Sequence, residues 1–459
     1  MSVETRLVEQ LRAVCGPDAV LARRGETILY DCDAYTLHKQ FPDLVVLPQS
    51  TEQVAAVVRC CAEAGVPFLA RGAGTGLAGG AIPVLGGVVI ALTRMKRILA
   101  IDLRNRRMVV EAGCVNLSLT RAVEDRGYQY APDPSSQMAC TIGGNVANNS
   151  GGPHTLKYGV TVNHVLGVKM VLPDGAIVTL GSAVEDRLGY DLTGVVVGSE
   201  GTFGIVTEVI VRLVRLAPAV RTLLAVFDSV EDATNTVSGI IAAGIVPAAL
   251  EMMDALILQA VEAAFRFGFP LDAGACLIIE LDGPEAGLDR QAEAVQAICM
   301  RHGAREVRRA RDAAERERLW KARKRAFGAA GRLAPSNVTQ DGVIPRTKLP
   351  QVLREIRAIA DRHGLRVANV FHAGDGNLHP LLLFDERDPD QVRRVVAASE
   401  EILKTCVAHG GSLTGEHGIG LEKCHYVTEQ FSEADLDYMQ RIRAVFNPND
   451  LCNPGKVFP

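Results

Sequence analysis

A chain of 459 residues, 48% hydrophobic and 22% charged, can bury more than one sizeable core, and its length suggests two or three domains. Its formal net charge of −4 argues against the strongly basic surface of a nucleic-acid binder. No charge-free apolar run reaches the roughly 18 residues that would span a bilayer. The amphipathic start, MSVETRLVEQLRAVCG, lacks the apolar core of a signal peptide.

Eleven scattered cysteines form no C-x-x-C pair, which excludes a zinc ribbon or an iron–sulfur centre. They fit a reduced, cytoplasmic interior, with any membrane association peripheral and made through partners. In chain order, Ser50-Thr-Glu-Gln53 predicts a capped helix that runs through VAAVVRCCAEA and stops at Gly65. A buried strand (66–70) follows and enters the glycine-rich stretch Arg71–Gly80; 88–92 and 108–113 are further strands. Residues 207–221 read as a strand and a Pro-containing link, which sets a domain boundary near residue 218. Ser229–Pro247 repeats the plan of capped helix, Gly and Val-Pro, so a second unit starts there.

Residues 301–325 read as a basic helix, either a solvated face or a docking site for an acidic partner. Residues 367–384 predict a β-hairpin around Gly374-Asp-Gly-Asn377, with His372 ending one arm and His379 starting the other. A capped helix (389–408) and the loop Thr414-Gly-Glu-His-Gly418 complete this half.

The motif GTGLAG (74–79) matches G-x-G-x-x-G, but the Rossmann reading needs an acid about 20 residues on. Thr93 and Arg94 stand there, so a nicotinamide cofactor is excluded. The stretch RGAGTGLAGGA is instead one of three glycine-polar loops, with 132–152 and 198–204. Such loops expose consecutive backbone N–H groups and suit a long ligand with two phosphates, although three ordinary tight turns would look similar. In the second half, two histidines and a downstream Glu-His could be structural hairpin residues or a divalent-metal ligand set with open positions.

Seven stretches carry a resemblance: RGAGTGLAGGA (71–81), PDPSSQMACTIGGNVANNSGG (132–152), LKYG (156–159), GYDLTGVVVGSEGTFGIVTEV (189–209), FHAGDGNLHP (371–380), GEHGIG (415–420) and NPGK (453–456). In this order they resemble the FAD-linked oxidases of the vanillyl-alcohol-oxidase type, in the branch of glycolate oxidase D subunits and D-lactate dehydrogenases. The resemblance implies an α+β fold: a two-lobed PCMH-type FAD-binding domain (1–218), an antiparallel-sheet cap (219–430) and a C-terminal segment (431–459) returning to the first domain.

It assigns Arg71, Gly72, Ala73, Gly74, Thr75 and Gly76 to the pyrophosphate. Pro132, Asp133, Ser135, Ser136, Thr141, Gly143, Gly144, Asn145 and Asn148 would line the flavin and its phosphates. Glu200, Gly201, Gly204 and Ile205 would hold the adenosine and ribityl end, and Asn453 is a further cofactor residue. The first loop has no His, so the FAD is expected to be non-covalent.

The same resemblance makes His372, His379 and Glu416 ligands of a divalent metal; zinc, manganese and iron all accept His2Glu. His417 is the candidate general base, because imidazole titrates near neutral pH. Arg323 matches the substrate-carboxylate arginine and can give a bidentate hold. The expected reaction is oxidation of a small D-2-hydroxy acid to the 2-oxo acid by hydride transfer to flavin N5. Relatives acting on D-2-hydroxyglutarate tend to carry Asn two residues after the second metal His. Leu381 stands there, which favours D-lactate or glycolate.

Electrons would leave to a quinone, an electron-transfer flavoprotein or an iron–sulfur partner subunit, in a homodimer or a hetero-complex. A non-redox alkyl-glycerone-phosphate synthase type and a non-catalytic electron-transfer subunit are the competing readings. The first would need a lipid tunnel and a different His-rich run, and a non-catalytic subunit has no reason to keep His372, His379, Glu416, His417 and Arg323 together.

Overall fold

The computed structural model describes residues 3–184 and 189–459 and divides the chain into two units. Unit 1 comprises Met1–Gly151, Gly159–Leu216 and Glu416–Pro459; unit 2 comprises Gly152–Tyr158 and Ala217–Gly415. The sequence places the return to the first domain at 431, whereas in the structure it begins at Glu416. Seven residues, Gly152–Tyr158, also leave unit 1 early and pack with unit 2. The boundaries implied by the resemblance miss both features, because a short polar excursion carries no periodic signal.

In unit 1, α1 (Val3–Cys15) and α2 (Thr51–Ala64) cover a four-stranded sheet of β1 (Val20–Leu21), β2 (Leu44–Val46), β3 (Phe68–Arg71) and β4 (Val88–Ala91). The order is β1-β2-β4-β3, with β2-β4 and β3-β4 parallel. Parallel strands are covered on both faces and so need continuous apolar runs; all four residues of VVIA in β4 are buried. Ser50 caps α2 by accepting the Gln53 N–H at 3.3 Å, and Gln53 returns a bond to the Gln49 N–H at 2.8 Å. Gly65 ends the helix at φ +64°.

The second sheet of unit 1 joins β5 (Ile98–Asp102), β6 (Arg107–Glu111), β7 (Val165–Val171), β8 (Ile177–Gly181) and β9 (Ile205–Arg212) in the order β5-β6-β9-β7-β8. All four pairings are antiparallel. Ile142 and Val146 of α3 (Ile142–Asn148) fill its core together with Met108, Val110 and Val209.

Unit 2 is built on a seven-stranded sheet of β10 (Ala219–Phe227), β11 (Ala249–Asp254), β12 (Ala275–Gly283), β13 (Ala304–Arg309), β14 (Ser336–Thr339), β15 (Arg366–His372) and β16 (Pro380–Phe384). The order is β13-β10-β12-β11-β15-β16-β14, and every pairing is antiparallel. Helices α4 (Val230–Ala242), α5 (Ala255–Phe265), α6 (Leu288–Arg301), α7 (Ala313–Lys324) and α8 (Pro389–Ala408) belong to this unit.

The sequence reads 301–325 as one basic helix, but the structure splits it into edge strand β13 and helix α7. Pairing of AREVRR along β10 overrides its local helical tendency. Much of its charge is also matched within the unit: Arg305 pairs with Asp228 and Asp272, Arg309 with Asp289, and Arg316 with Glu280. Among the described residues no helix is long and apolar enough to cross a membrane. All eleven cysteines are free thiols.

Candidate active site

In unit 1 the three glycine-polar loops come together. Arg71 ends β3 with its guanidinium 5.5 Å over the Tyr30 ring, and its buried Nη1 has no hydrogen-bond partner among the described residues. At Gly74 (φ +71°) a Cβ would stand 2.2 Å from Arg71 Nη2; at Gly72 it would stand 2.3 Å from Thr141 Oγ1. The first loop therefore lies directly against the second with no room for side chains. Asp33 fixes the first loop's far end, accepting the Ala81 N–H at 3.3 Å. Burial pushes the Asp33 carboxyl above its usual range, against the N–H groups of Tyr35 and Ala81.

Thr141 caps α3 by accepting the Gly144 N–H. Asn145 is buried and accepts Asn116 Nδ2 at 3.0 Å. Asn116 Nδ2 also donates to the Pro132 carbonyl at 3.0 Å, so Asn145 and Pro132 share one anchor. The third loop meets the end of α3, where Glu200 N donates to the Ala147 carbonyl at 2.8 Å. Asn453 joins two loops by donating from Nδ2 to the carbonyls of Gly80 (3.1 Å) and Glu200 (2.8 Å).

Several residues assigned to the cofactor serve packing as well. A Cβ at Gly143 would stand 2.8 Å from Ala112 Cβ, Gly204 (φ +146°) lies against the Val171 carbonyl, and Ile205 is fully buried in the core. Glu200 departs furthest from its sequence reading. Its two carboxylate oxygens accept the N–H groups of Ile419 and Gly420, both at 2.7 Å. Burial pushes this carboxyl up to about 7, those two N–H groups opposing the rise.

The residues that begin the return to unit 1 are held by the same unit. Glu416 Oε2 accepts the Gly151 N–H at 3.1 Å, and the His417 carbonyl accepts Asn148 Nδ2 at 2.5 Å. Lys456, fully buried, donates to the Ile82 carbonyl at 2.8 Å. Burial pushes its amine down to about 8, with Asp33, Cys424 and Glu200 pulling the other way.

In unit 2 the predicted hairpin forms: Val367 pairs with Leu382 and Asn369 with Pro380. It brings the His372 and His379 rings to 5.1 Å between centroids at 87°. Strand β11 lies against β15 in register, so Glu251 stands opposite His372. His372 Nδ1 contacts the Glu251 oxygens at 2.8 and 3.0 Å, and His379 Nδ1 lies 3.3 Å from the Gln340 carbonyl. An acceptor at Nδ1 selects the tautomer that leaves Nε2 as the lone-pair nitrogen.

Arg323 on α7 is completely buried, with Nη2 2.7 Å from Glu251 Oε2 as an ion pair rather than an aligned hydrogen bond. Its Nε and Nη1 have no hydrogen-bond partner among the described residues. Its Cζ lies 5.9 Å from the Phe327 ring centre. Sequence reasoning missed Glu251, whose signal was one acid in the otherwise apolar run ALEMM. It also missed Asp341, fully buried, which accepts the Gly415 N–H at 2.9 Å and Thr414 Oγ1 and lies 3.9 Å from His379 Nδ1.

Gly411 allows that arrangement, since a Cβ there would stand 1.8 Å from the Val343 carbonyl, which accepts the Ser412 N–H at 2.9 Å. Gly411→Ala is expected to cost about 1–3 kcal/mol of stability through overpacking, read as a lowered denaturation midpoint. Leu381, fully buried in the apolar core of unit 2, offers no polar group.

The pattern of the FAD linked oxidases, C-terminal domain, matches residues 216–457, and an FAD binding domain matches residues 42–181. The chain is 48% identical to the glycolate oxidase subunit GlcD of Escherichia coli strain K12 over 96% of this chain and 88% of that protein. It is 41% identical to the GlcD subunit of Bacillus subtilis (98% and 96%). It is also 30% identical to the mitochondrial D-lactate dehydrogenase [cytochrome] of Arabidopsis thaliana (100% and 81%).

Among solved structures, a substrate-bound p-cresol methylhydroxylase superposes with a TM-score of 0.84 at 17% identity, covering 100% of this chain and 97% of that one. An alkyldihydroxyacetonephosphate synthase superposes at 0.77 with 18% identity, covering 98% and 85%. At these identities the likeness shows the shared fold alone. Carrying both domain patterns in chain order, this protein belongs to the FAD-linked oxidases.

Proposed function

We propose that this FAD-dependent oxidoreductase oxidises a small D-2-hydroxy acid, glycolate or D-lactate, to the 2-oxo acid with the help of a divalent metal. The observation that carries the reading is the buried Arg323 of unit 2, whose Nε and Nη1 have no hydrogen-bond partner among the described residues. A guanidinium held this deep offers N–H groups to a carboxylate. The relatives named for glycolate and D-lactate supply the substrate class. The apolar Leu381 disfavours a second carboxylate on the substrate, as in D-2-hydroxyglutarate.

The cofactor fits the residues present. The orphaned Arg71 Nη1 and the close backbone packing that Gly72 and Gly74 allow around Arg71 and Thr141 suit a pyrophosphate. Arg71–Gly76, Pro132–Ser136, Thr141–Asn148 and the backbone of Glu200–Ile205 would hold the dinucleotide. When bound, FAD supplies the acceptor for the hydride. The metal fits as well: His372 and His379 each have Nδ1 directed at an acceptor, the arrangement that prepares Nε2 for ligation. These two with Glu416 form the proposed ligand set, and the ion would supply Lewis acidity at the substrate hydroxyl.

Within this scheme Arg323 orients the carboxylate. Glu251 keeps the His372 ring in place, and His417 accepts the hydroxyl proton as the α-hydrogen leaves as hydride. The electron acceptor is proposed to be a partner subunit or a quinone, and a hetero-complex fits the relatives named as subunits.

An anaerobic visible spectrum tests the proposal, with D-lactate, L-lactate, glycolate and D-2-hydroxyglutarate added separately, with and without chelator. Bleaching of the flavin band by glycolate or D-lactate, none with L-lactate, and its loss after chelation is the expected result. Bleaching that survives complete metal removal would sink the metal, and bound flavin that none of the acids reduces would sink the substrate class.

A further inference from the structure

Glu200 occupies the left-handed region (φ +53°), a backbone state that costs a non-glycine residue about 1 kcal/mol or more. It is kept there by its own backbone: its N–H donates to the Ala147 carbonyl at 2.8 Å and its carbonyl accepts Asn453 Nδ2 at 2.8 Å. The turn sends the side chain toward residues 416–420. One oxygen takes the Ile419 N–H and the other the Gly420 N–H. Two hydrogen bonds of 2.7 Å accepted by one carboxyl group fix the plane of two successive peptides.

The neighbouring positions leave that loop little freedom. Gly418 (φ +88°) lies so close that a Cβ there would stand 2.8 Å from the Glu200 carboxyl carbon. At Gly420 (φ +54°) a Cβ would stand 2.1 Å from the Ala78 carbonyl, which itself accepts the Leu421 N–H at 2.8 Å. On the other side of His417, its carbonyl is taken by Asn148 and the preceding Glu416 by Gly151 N. His417 is therefore clamped between two fixed points, and Glu200 supplies the one on its C-terminal side.

We propose that Glu200 is a positioning residue for His417: its carboxylate sets the backbone of residues 418–420 and so aims the imidazole for proton abstraction. This rests on His417 being the base, as proposed above. It also gives the Glu200 carboxyl group a task in the loop, since each of its oxygens already accepts a backbone N–H.

Glu200→Gln keeps the volume but turns an amide N–H₂ toward one backbone N–H, whereas Glu200→Asp keeps the charge and falls short. In both variants flavin content after dialysis is expected to match wild type, and KM to shift little. The rate of flavin reduction should fall by up to about 100-fold, the scale of a misplaced catalytic group. The D₂O isotope effect on reduction should rise, because proton transfer becomes more limiting. Amide hydrogen exchange at Ile419 and Gly420 should accelerate, while that of Val89 in β4 stays slow.

Loss of flavin with an unchanged isotope effect would make Glu200 a cofactor ligand and overturn the proposal, as would unchanged exchange at the two amides. Should wild type reduce its flavin with none of the four acids, the general-base reading falls. The two amides still decide whether Glu200 holds the loop.

Discussion

Replacing Arg323 with Met is expected to abolish flavin reduction by hydroxy acids and to lower folding stability by about 3–5 kcal/mol, the cost of stripping one partner from a buried ion pair. The size of the effect follows from depth, since both side chains of the Arg323–Glu251 pair have zero solvent exposure. Without the guanidinium, Glu251 keeps a negative charge inside the apolar body of unit 2, where His372 remains beside it. The double variant Arg323→Met/Glu251→Leu separates the two consequences. Removing both charges together should restore most of the lost stability, but not the activity, because no group remains to hold a carboxylate. Chemical denaturation followed by stopped-flow reduction measures both. A single variant as stable as wild type would show that the pair is not a desolvated one.

His417→Ala should cut the rate of flavin reduction by about 100- to 10,000-fold, the usual worth of a positioned general base. Flavin should remain bound, since the cradle is built from loops that do not use the imidazole: Gly72 against Thr141, and Asn453 between Gly80 and Glu200. Reduction at the wild-type rate would reassign the base.

How much of this was legible in the sequence varies with how local each signal is. The helix at 51–64 could be read completely, because Ser50, Gln53 and Gly65 each act within one turn of the chain. The hairpin carrying His372 and His379 was readable for the same reason: Gly374-Asp-Gly-Asn377 dictates the turn and the flanking arms are apolar. The three glycine loops were visible as glycine clusters, although their meeting depends on contacts such as Thr141 with Gly72, about 70 residues away along the chain.

Glu251 stayed hidden because its meaning comes from strand register: only the pairing of β11 with β15 puts it opposite His372. Glu200 was noticed for the right region but given another task, since its partners lie some 220 residues downstream. Strand β13 was read as helix because AREVRR has no period-2 apolar pattern, and its strand state comes from its neighbour β10.

The division of unit 1 into three stretches of chain bears on how the protein is made. Synthesis delivers residues 1–151 and 159–216 early, but Asn447, which bridges the carbonyls of Thr202 and Cys452, emerges only after unit 2. Asn453 and Lys456, which tie down the glycine loop at Gly80 and Ile82, come later still. Unit 2, from Ala217 to Gly415, is complete in the nascent chain before these residues exist. Assembly therefore runs against the N-to-C order in which domains ordinarily finish. A ribosome paused between Gly415 and Asn447 would carry the whole of unit 2 and a unit 1 that still lacks the side chains tying its glycine loops, so closure of the flavin cradle waits on residues that follow unit 2.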